Sequence, residues 1–414
     1  MVNRILILLG LALAPVVASV AEEDPFAALD AQLEDQFVDL DAQLEAEYRA
    51  IDKAIDAAFA RLKSEVEGVW GVEDASLPTQ NAWVDYSEDK KSRREFDFEN
   101  GVLLVEQIVE DGASEADLSA SLSQAVKGAL GDTEADLSKK DDVLNYAKAD
   151  LAAKSISLNE SPPKSDQPVL AGLLSIDTDT ISSEIEKQVP TNGQQTASWP
   201  KEQTKAIKVT QTQLANGAKK ITVAVPFKAD HLSESAKRYQ DQVILEARRR
   251  GLPPSLVYAI METESHFNPR ARSHIPAFGL MQLVPSSGGL DAYNYVYGEK
   301  LVLGPEYYFN PDQNVELGTA YLDLLLTRYL REIDDDESRV LCAIAAYNTG
   351  AGNVARSFTG NTSVRGAAPS INALSAQEVF DHLVINLPYE ETRNYLRKVT
   401  KAREKYRGLD LPNA

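Results

Sequence analysis

A carboxyl that must donate a proton at neutral pH needs surroundings that disfavour its charge. Glu264 has two such features in the sequence. The run from Pro253 to Ser265 reads as a helix: prolines stand at its start, where a missing N–H costs nothing, and Asn268-Pro269 ends it, because a residue before proline avoids the helical region. Glu264 follows Val257, Ile260 and Met261 at spacings of seven, four and three, which puts its carboxyl on the apolar stripe. It also lies at the helix C-terminus, where the dipole opposes an anion. Both effects raise a carboxyl pKa. Glu262 follows Tyr258 and Ala259 and belongs to another face. The plainer alternative for Glu264 is a carboxylate satisfied by a neighbouring Arg or hydroxyl.

Three more segments carry polar residues in compact patterns. Glu264-Ser265-His266-Phe267-Asn268-Pro269-Arg270-Ala271-Arg272-Ser273 runs into Gly279-Leu280-Met281-Gln282; then come Ala346-Tyr347-Asn348-Thr349-Gly350-Ala351-Gly352 and Glu391-Thr392-Arg393-Asn394-Tyr395. Singly, each has a bland reading. Met281 reads as core, Tyr347 as packing, and Glu391 with Arg393 as a surface charge pair. In this order, over about 235–408, they resemble the motifs of the family 1 lytic transglycosylases, enzymes with a goose-lysozyme-like helical domain that cut peptidoglycan. The region upstream resembles, more loosely, the N-terminal domain of one member of that family.

The resemblance implies a metal-free, cofactor-free reaction on peptidoglycan glycan strands. It makes Glu264 the single catalytic acid/base and Ser273 a hydroxyl near the reacting sugar. Met281 and Gln282 would line glycan subsites, Tyr347 and Asn348 would lie near the catalytic carboxyl, and Glu391 and Tyr395 would close the groove. Protonated Glu264 would cleave the bond between N-acetylmuramic acid and N-acetylglucosamine. The 2-acetamido group would support C1, and the 6-hydroxyl would close a 1,6-anhydro ring. The competing readings are a non-catalytic peptidoglycan-binding scaffold and a hydrolytic muramidase. The latter needs a second carboxylate across the groove.

Composition narrows the alternatives. A formal charge of -21 argues against nucleic acid as a partner, since such binding begins with neutralisation by Lys and Arg. The acidic excess lies almost wholly before residue 231, and the remainder is near balance. Four dispersed histidines (His231, His266, His274, His382) and the lone Cys342 do not read as a metal site.

The elements that must position these residues read as α+β overall. An all-α lysozyme-like C-terminal domain over 231–414 follows a small α+β N-terminal domain over 70–230, itself preceded by a long hendecad-repeat helix over 22–69. Residues 25–68 are four 11-residue repeats. Their apolar positions, from Phe26, Leu29 and Leu33 to Phe59, Leu62 and Val66, step by three, four and four. One stripe on a helix roughly 65 Å long results. It reads either as a coiled-coil element for self-association or as an amphipathic helix folded back on its own domain. Two hairpins are expected, one turning at Asn100-Gly101 and one at Asn216-Gly217, in a single sheet, with helices near 114–130 and 140–153. Residues 1–21 read as a signal peptide: Arg4, an apolar run from Ile5 to Val20, and small residues at Ser19 and Ala21. The expected product is periplasmic and soluble, without a lipidation cysteine; the alternative is an uncleaved signal that anchors it in the membrane. Its expected partners are glycan strands and other cell-wall proteins.

Overall fold

The computed structural model describes residues 27–410, apart from 111, 162, 164, 190–205 and 275, with side chains from residue 41. The signal reading of 1–21 lies outside the described residues. Residues through Glu45 and residues Ala46–Ala414 are two separate compact units. Helix α1, Ala27–Trp70, is the described part of the first and continues into the second. Among the described residues no helix is long and apolar enough to cross a membrane.

In the larger unit the repeat stripe is already occupied. Tyr48, Ile51, Ile55, Leu62, Val66 and Trp70 are buried, together with Ala54 and Ala58, while Phe59 is half-buried. The Tyr48 hydroxyl donates to the Leu301 carbonyl (3.2 Å), and the Trp70 indole N–H to that of Lys90 (2.6 Å). The folded-back reading therefore describes the third and fourth repeats. The coiled-coil reading is left with residues 25–46.

One antiparallel sheet follows, with β1 Ala82–Tyr86, β2 Ser92–Asp97, β3 Val102–Val109, β4 Lys208–Gln213 and β5 Lys219–Pro226 in the order β1-β2-β3-β5-β4. Both expected hairpins share it. Strand β1 was not expected, because three consecutive residues in it are buried and no alternation marks it. Its Asp85 is buried by pairing with Arg94. Helices α2 Glu115–Gly131, α3 Glu134–Lys139, α4 Asp142–Ala153 and α5 Thr178–Gln188 complete this part. Their N-caps are Ser114, Thr133, Asp141 and Asp177, each accepting a backbone N–H of the first turn. The six residues of α3 are too few to show a period, and α5 buries only Ile181 and Ile185.

From residue 231 on, every regular element is helical. These are α6 His231–Arg238, α7 Gln240–Arg250, α8 Pro254–Ser265, α9 Leu290–Tyr297, α10 Pro305–Phe309 and α11 Pro311–Leu324. Then come α12 Asp336–Thr349, α13 Ala351–Thr359, α14 Val364–Asn372, α15 Ala376–Asn386 and α16 Glu390–Tyr406. Helices α8 and α12 form the centre, buried on nearly every side, and Cys342 is one of the small core residues. Helix α16 locks to α8 through stacked Tyr258 and Tyr406 (5.1 Å) and through Asp410, which accepts from Ser255 N and Oγ.

The sheet part and the helical part share a seam. Gly101, at φ +66°, has the His231 ring where a Cβ would stand (2.7 Å), so the hairpin turn seats the start of α6. His231 Nε2 lies 2.9 Å from the Phe98 carbonyl. Deeper in the seam, Arg270 and Arg272 are almost wholly buried with Asp141 and Glu306. Arg270 donates to Asp141 (2.8 Å) and to both Glu306 oxygens (2.9 and 3.0 Å), and Arg272 pairs with Asp141. Four charges with mutual bonds satisfy a burial that none could sustain alone.

Candidate active site

Helix α8 ends at Ser265, where the run read from the sequence also stops, because His266 (φ +49°) and Phe267 (φ +63°) turn into the left-handed region. Two consecutive non-glycine residues there are strained and must be held by their neighbours. Phe267 is buried, His266 Nδ1 meets Asn81 Oδ1 (3.1 Å), and Asn268 Nδ2 donates to the Gln80 carbonyl (3.1 Å). The segment before β1 thus clamps the turn that follows Glu264.

The Gly279–Gln282 turn is fixed as tightly. A Cβ at Gly279 (φ +78°) would stand 2.1 Å from the Tyr308 carbonyl oxygen. Buried Asn314 accepts from Met281 N (2.8 Å) and donates to the carbonyls of Phe278 (2.9 Å) and Tyr308 (2.8 Å). The Ser265 hydroxyl reaches the Leu280 carbonyl (2.8 Å), and the Tyr347 hydroxyl reaches that of Met281 (2.8 Å). The turn carries Gln282 at φ +47°, its amide N–H₂ donating to Ala271 (2.9 Å) and Gly279 (3.0 Å). Its Oε1 is buried with no partner.

These turns border a cleft of about 640 Å³. Six of the seven expected substrate-binding residues line it with Glu264: Ser273, Gln282, Tyr347, Asn348, Glu391 and Tyr395. Met281 does not line it. Its side chain is fully buried in the helical core, against Gly318, where a Cβ would lie 2.3 Å from the sulfur. Only its backbone serves the site, by holding Tyr347. Residues not singled out in the sequence also line the cleft: Gln80, Thr263, His274, Ala277, Val284, Asn394 and Lys398. Asn394 and Lys398 follow Glu391 by three and seven residues on α16, a helical spacing the sequence carried. No sequence signal links Gln80 to the rest.

Burial pushes the Glu264 carboxyl up to about 8; the nearby Tyr395 hydroxyl acts to lower it, and the Glu391 charge adds to the rise. Burial drives the Tyr347 and Tyr395 phenols well above their ordinary value, with the Glu264 charge in the same sense. The Tyr395 hydroxyl is buried and makes no hydrogen bond of standard geometry. Asn348 Oδ1 accepts from the buried Thr392 hydroxyl (2.7 Å). Glu262, by contrast, points away from the cleft. It accepts from Tyr406 (2.6 Å) and pairs with Lys405.

A larger cleft, about 880 Å³, lies on the sheet part between α1, β2 and α4. Several of its charges are paired among themselves, Arg93 with Glu106, Arg94 with Asp85 and Lys90 with Asp142 (2.6 Å). The smaller cleft holds the buried carboxyl of Glu264, raised to about 8. Among the described residues no group of His, Cys, Asp and Glu could hold a metal ion.

Comparison with known proteins gives the family of the chain. A family model described as Transglycosylase SLT domain matches residues 241–367, which places the helical part in the class of SLT-domain lytic transglycosylases. A second model, the N-terminal domain of membrane-bound lytic murein transglycosylase C, matches residues 48–130. The chain is 31% identical over 352 residues to membrane-bound lytic murein transglycosylase C of Histophilus somni (strain 2336), covering 84% of this chain and 87% of that protein. The protein of that name from Salmonella arizonae is 31% identical over 353 residues, with 83% and 87% covered. A solved inactive mutant of lytic transglycosylase Slt from Pseudomonas aeruginosa is 27% identical, covers 42% of this chain and 25% of its own, and has a TM-score of 0.33. The chain belongs to the family of membrane-bound lytic murein transglycosylase C, and it is a lytic transglycosylase.

Proposed function

We propose that the protein cleaves the β-1,4 bond between N-acetylmuramic acid and N-acetylglucosamine in peptidoglycan without water, with Glu264 as sole acid and base. The observation that carries this is a carboxyl raised to about 8, hence protonated at neutral pH, inside the motif-lined cleft. Glu264 gives its proton to the glycosidic oxygen as the C1–O bond breaks. The 2-acetamido carbonyl oxygen supports the positive charge at C1. The carboxylate then takes the proton of the muramic acid 6-hydroxyl, whose oxygen bonds C1 and closes the 1,6-anhydro ring. The proton that left Glu264 is replaced, and atoms balance without water. The unpartnered Tyr395 hydroxyl is placed to donate to the carboxylate that exists between the two transfers. Ser273, Gln282, Tyr347, Asn348 and Glu391 hold the strand.

One observation favours a second reading. Glu391 lines the same cleft, so a water-activating carboxylate is available for hydrolysis. Glu262 is not, being bonded to Lys405 and Tyr406. Replacing Glu391 separates the two: Glu391→Gln keeps cutting strands if Glu264 works alone, and stops if Glu391 is the base. Turbidity loss of purified peptidoglycan, compared among wild type, Glu264→Gln and Glu391→Gln, reads this directly. We further propose that residues 1–21 direct export to the periplasm, that 231–414 is the catalytic domain and 70–230 its α+β companion, and that self-association or contact with cell-wall proteins uses the first two repeats.

A further inference from the structure

Glu391 makes one end of the cleft acidic, but the other end is built from donors. Lys398 follows Glu391 by seven residues on α16, about 10 Å along the helix axis. It is exposed, and among the described residues its ammonium makes no hydrogen bond or ion pair. The acids in its neighbourhood are already engaged. Glu262 is held by Lys405 and Tyr406, and Glu99 accepts from Asn81 Nδ2 (2.7 Å). Asn394, one turn before Lys398, has its Oδ1 occupied by Arg397 Nη1 (3.1 Å), so its N–H₂ remains to be given away. Gln80 lines the cleft from the sheet part, and among the described residues its side-chain amide has no partner.

We propose that Lys398, Asn394 and Gln80 form a subsite for a carboxylate carried by the bound strand. This rests on the peptidoglycan reading above and specifies it further. An ammonium with two amide donors suits a carboxylate, since charge-assisted hydrogen bonds are the stronger ones. The acidic end of the cleft would repel the same group, so the carboxylate has one place to sit and the strand one direction to lie. Two sources share this chemistry: the lactyl carboxylate of a muramic acid without peptide, and a carboxylate of a stem peptide.

The test compares wild type, Lys398→Gln and Lys398→Arg on four strands. These are peptide-free strands with the lactyl carboxyl free or amidated, and peptide-bearing strands with the stem carboxyls free or amidated. The readout is the ratio of kcat/KM for the free acid over its amide. The wild type is expected to prefer a free acid, and Lys398→Gln to lower that preference about tenfold, mainly in KM, with Lys398→Arg restoring it. Loss on the peptide-free pair identifies the lactyl group; loss on the peptide-bearing pair alone identifies the stem. Equal ratios for wild type and Lys398→Gln on both pairs, or a wild type without preference, overturn the subsite. A wild type that cuts none of the four strands overturns the peptidoglycan reading itself.

Discussion

In the proposed reaction Glu264 must keep its proton until a glycosidic oxygen arrives, and burial supplies the bias that a solvated carboxyl lacks. Catalysis should fall as pH rises through about 8, where the acid is lost. Because the Glu391 charge raises the Glu264 pKa, Glu391→Gln should move that alkaline limb to lower pH, as a pH–kcat/KM profile would record. Glu264→Gln should slow strand cleavage by at least about 10²–10⁴-fold. It should also stabilise the fold at alkaline pH. A carboxyl whose folded pKa is raised contributes stability below its unfolded pKa and loses it as pH passes the folded value. The melting temperature of Glu264→Gln should therefore exceed that of the wild type more at pH 9 than at pH 5, by calorimetry. Much of this site was legible, since Glu264 announced itself by its place on an apolar stripe and the motifs supplied six of its neighbours. Met281 shows the limit: a motif position tells that a residue matters, not whether its side chain or its backbone does the work. Gln80 was beyond reach, as it meets Asn268 across 188 residues.

Turns, more than helices, set the precision of the cleft. Helix α8 delivers Glu264, but the strained His266-Phe267 pair and the Gly279–Gln282 turn decide what faces it. Gly279→Ala should cost about 3 kcal/mol or more, because its Cβ would overlap the Tyr308 carbonyl. Asn314→Ala should cost a similar amount by leaving Met281 N and two carbonyls unpaired, each worth about 1–3 kcal/mol when buried. Urea unfolding checks both, and a midpoint unchanged in either variant contradicts the role given to the turn. Among the elements, both hairpins were legible from Asn-Gly turns flanked by apolar runs. Strand β1 was not, because three consecutive buried residues, one of them Asp85 paired with Arg94, replace the alternation that marks a strand.

At the scale of the whole molecule, the catalytic cleft belongs to residues 46–414 as a unit rather than to the helical part alone. Asp141, at the start of α4, neutralises Arg270 and Arg272 in the loop that follows Glu264. Asp141→Ala should destabilise the chain by about 3–5 kcal/mol, and it should loosen that loop to proteolysis. A wild-type urea midpoint in this variant would show the seam to be incidental. The repeat helix follows the same logic, since its later stripe is spent on the sheet and helices it packs against, which no pattern in the repeat itself disclosed. The central claim, that one carboxyl cuts glycan strands without water, is tested most directly by mass spectrometry of products formed from purified peptidoglycan in heavy-oxygen water. Anhydro ends carrying no heavy oxygen are expected from the wild type, and none from Glu264→Gln. Reducing ends labelled with heavy oxygen as the main product would contradict it.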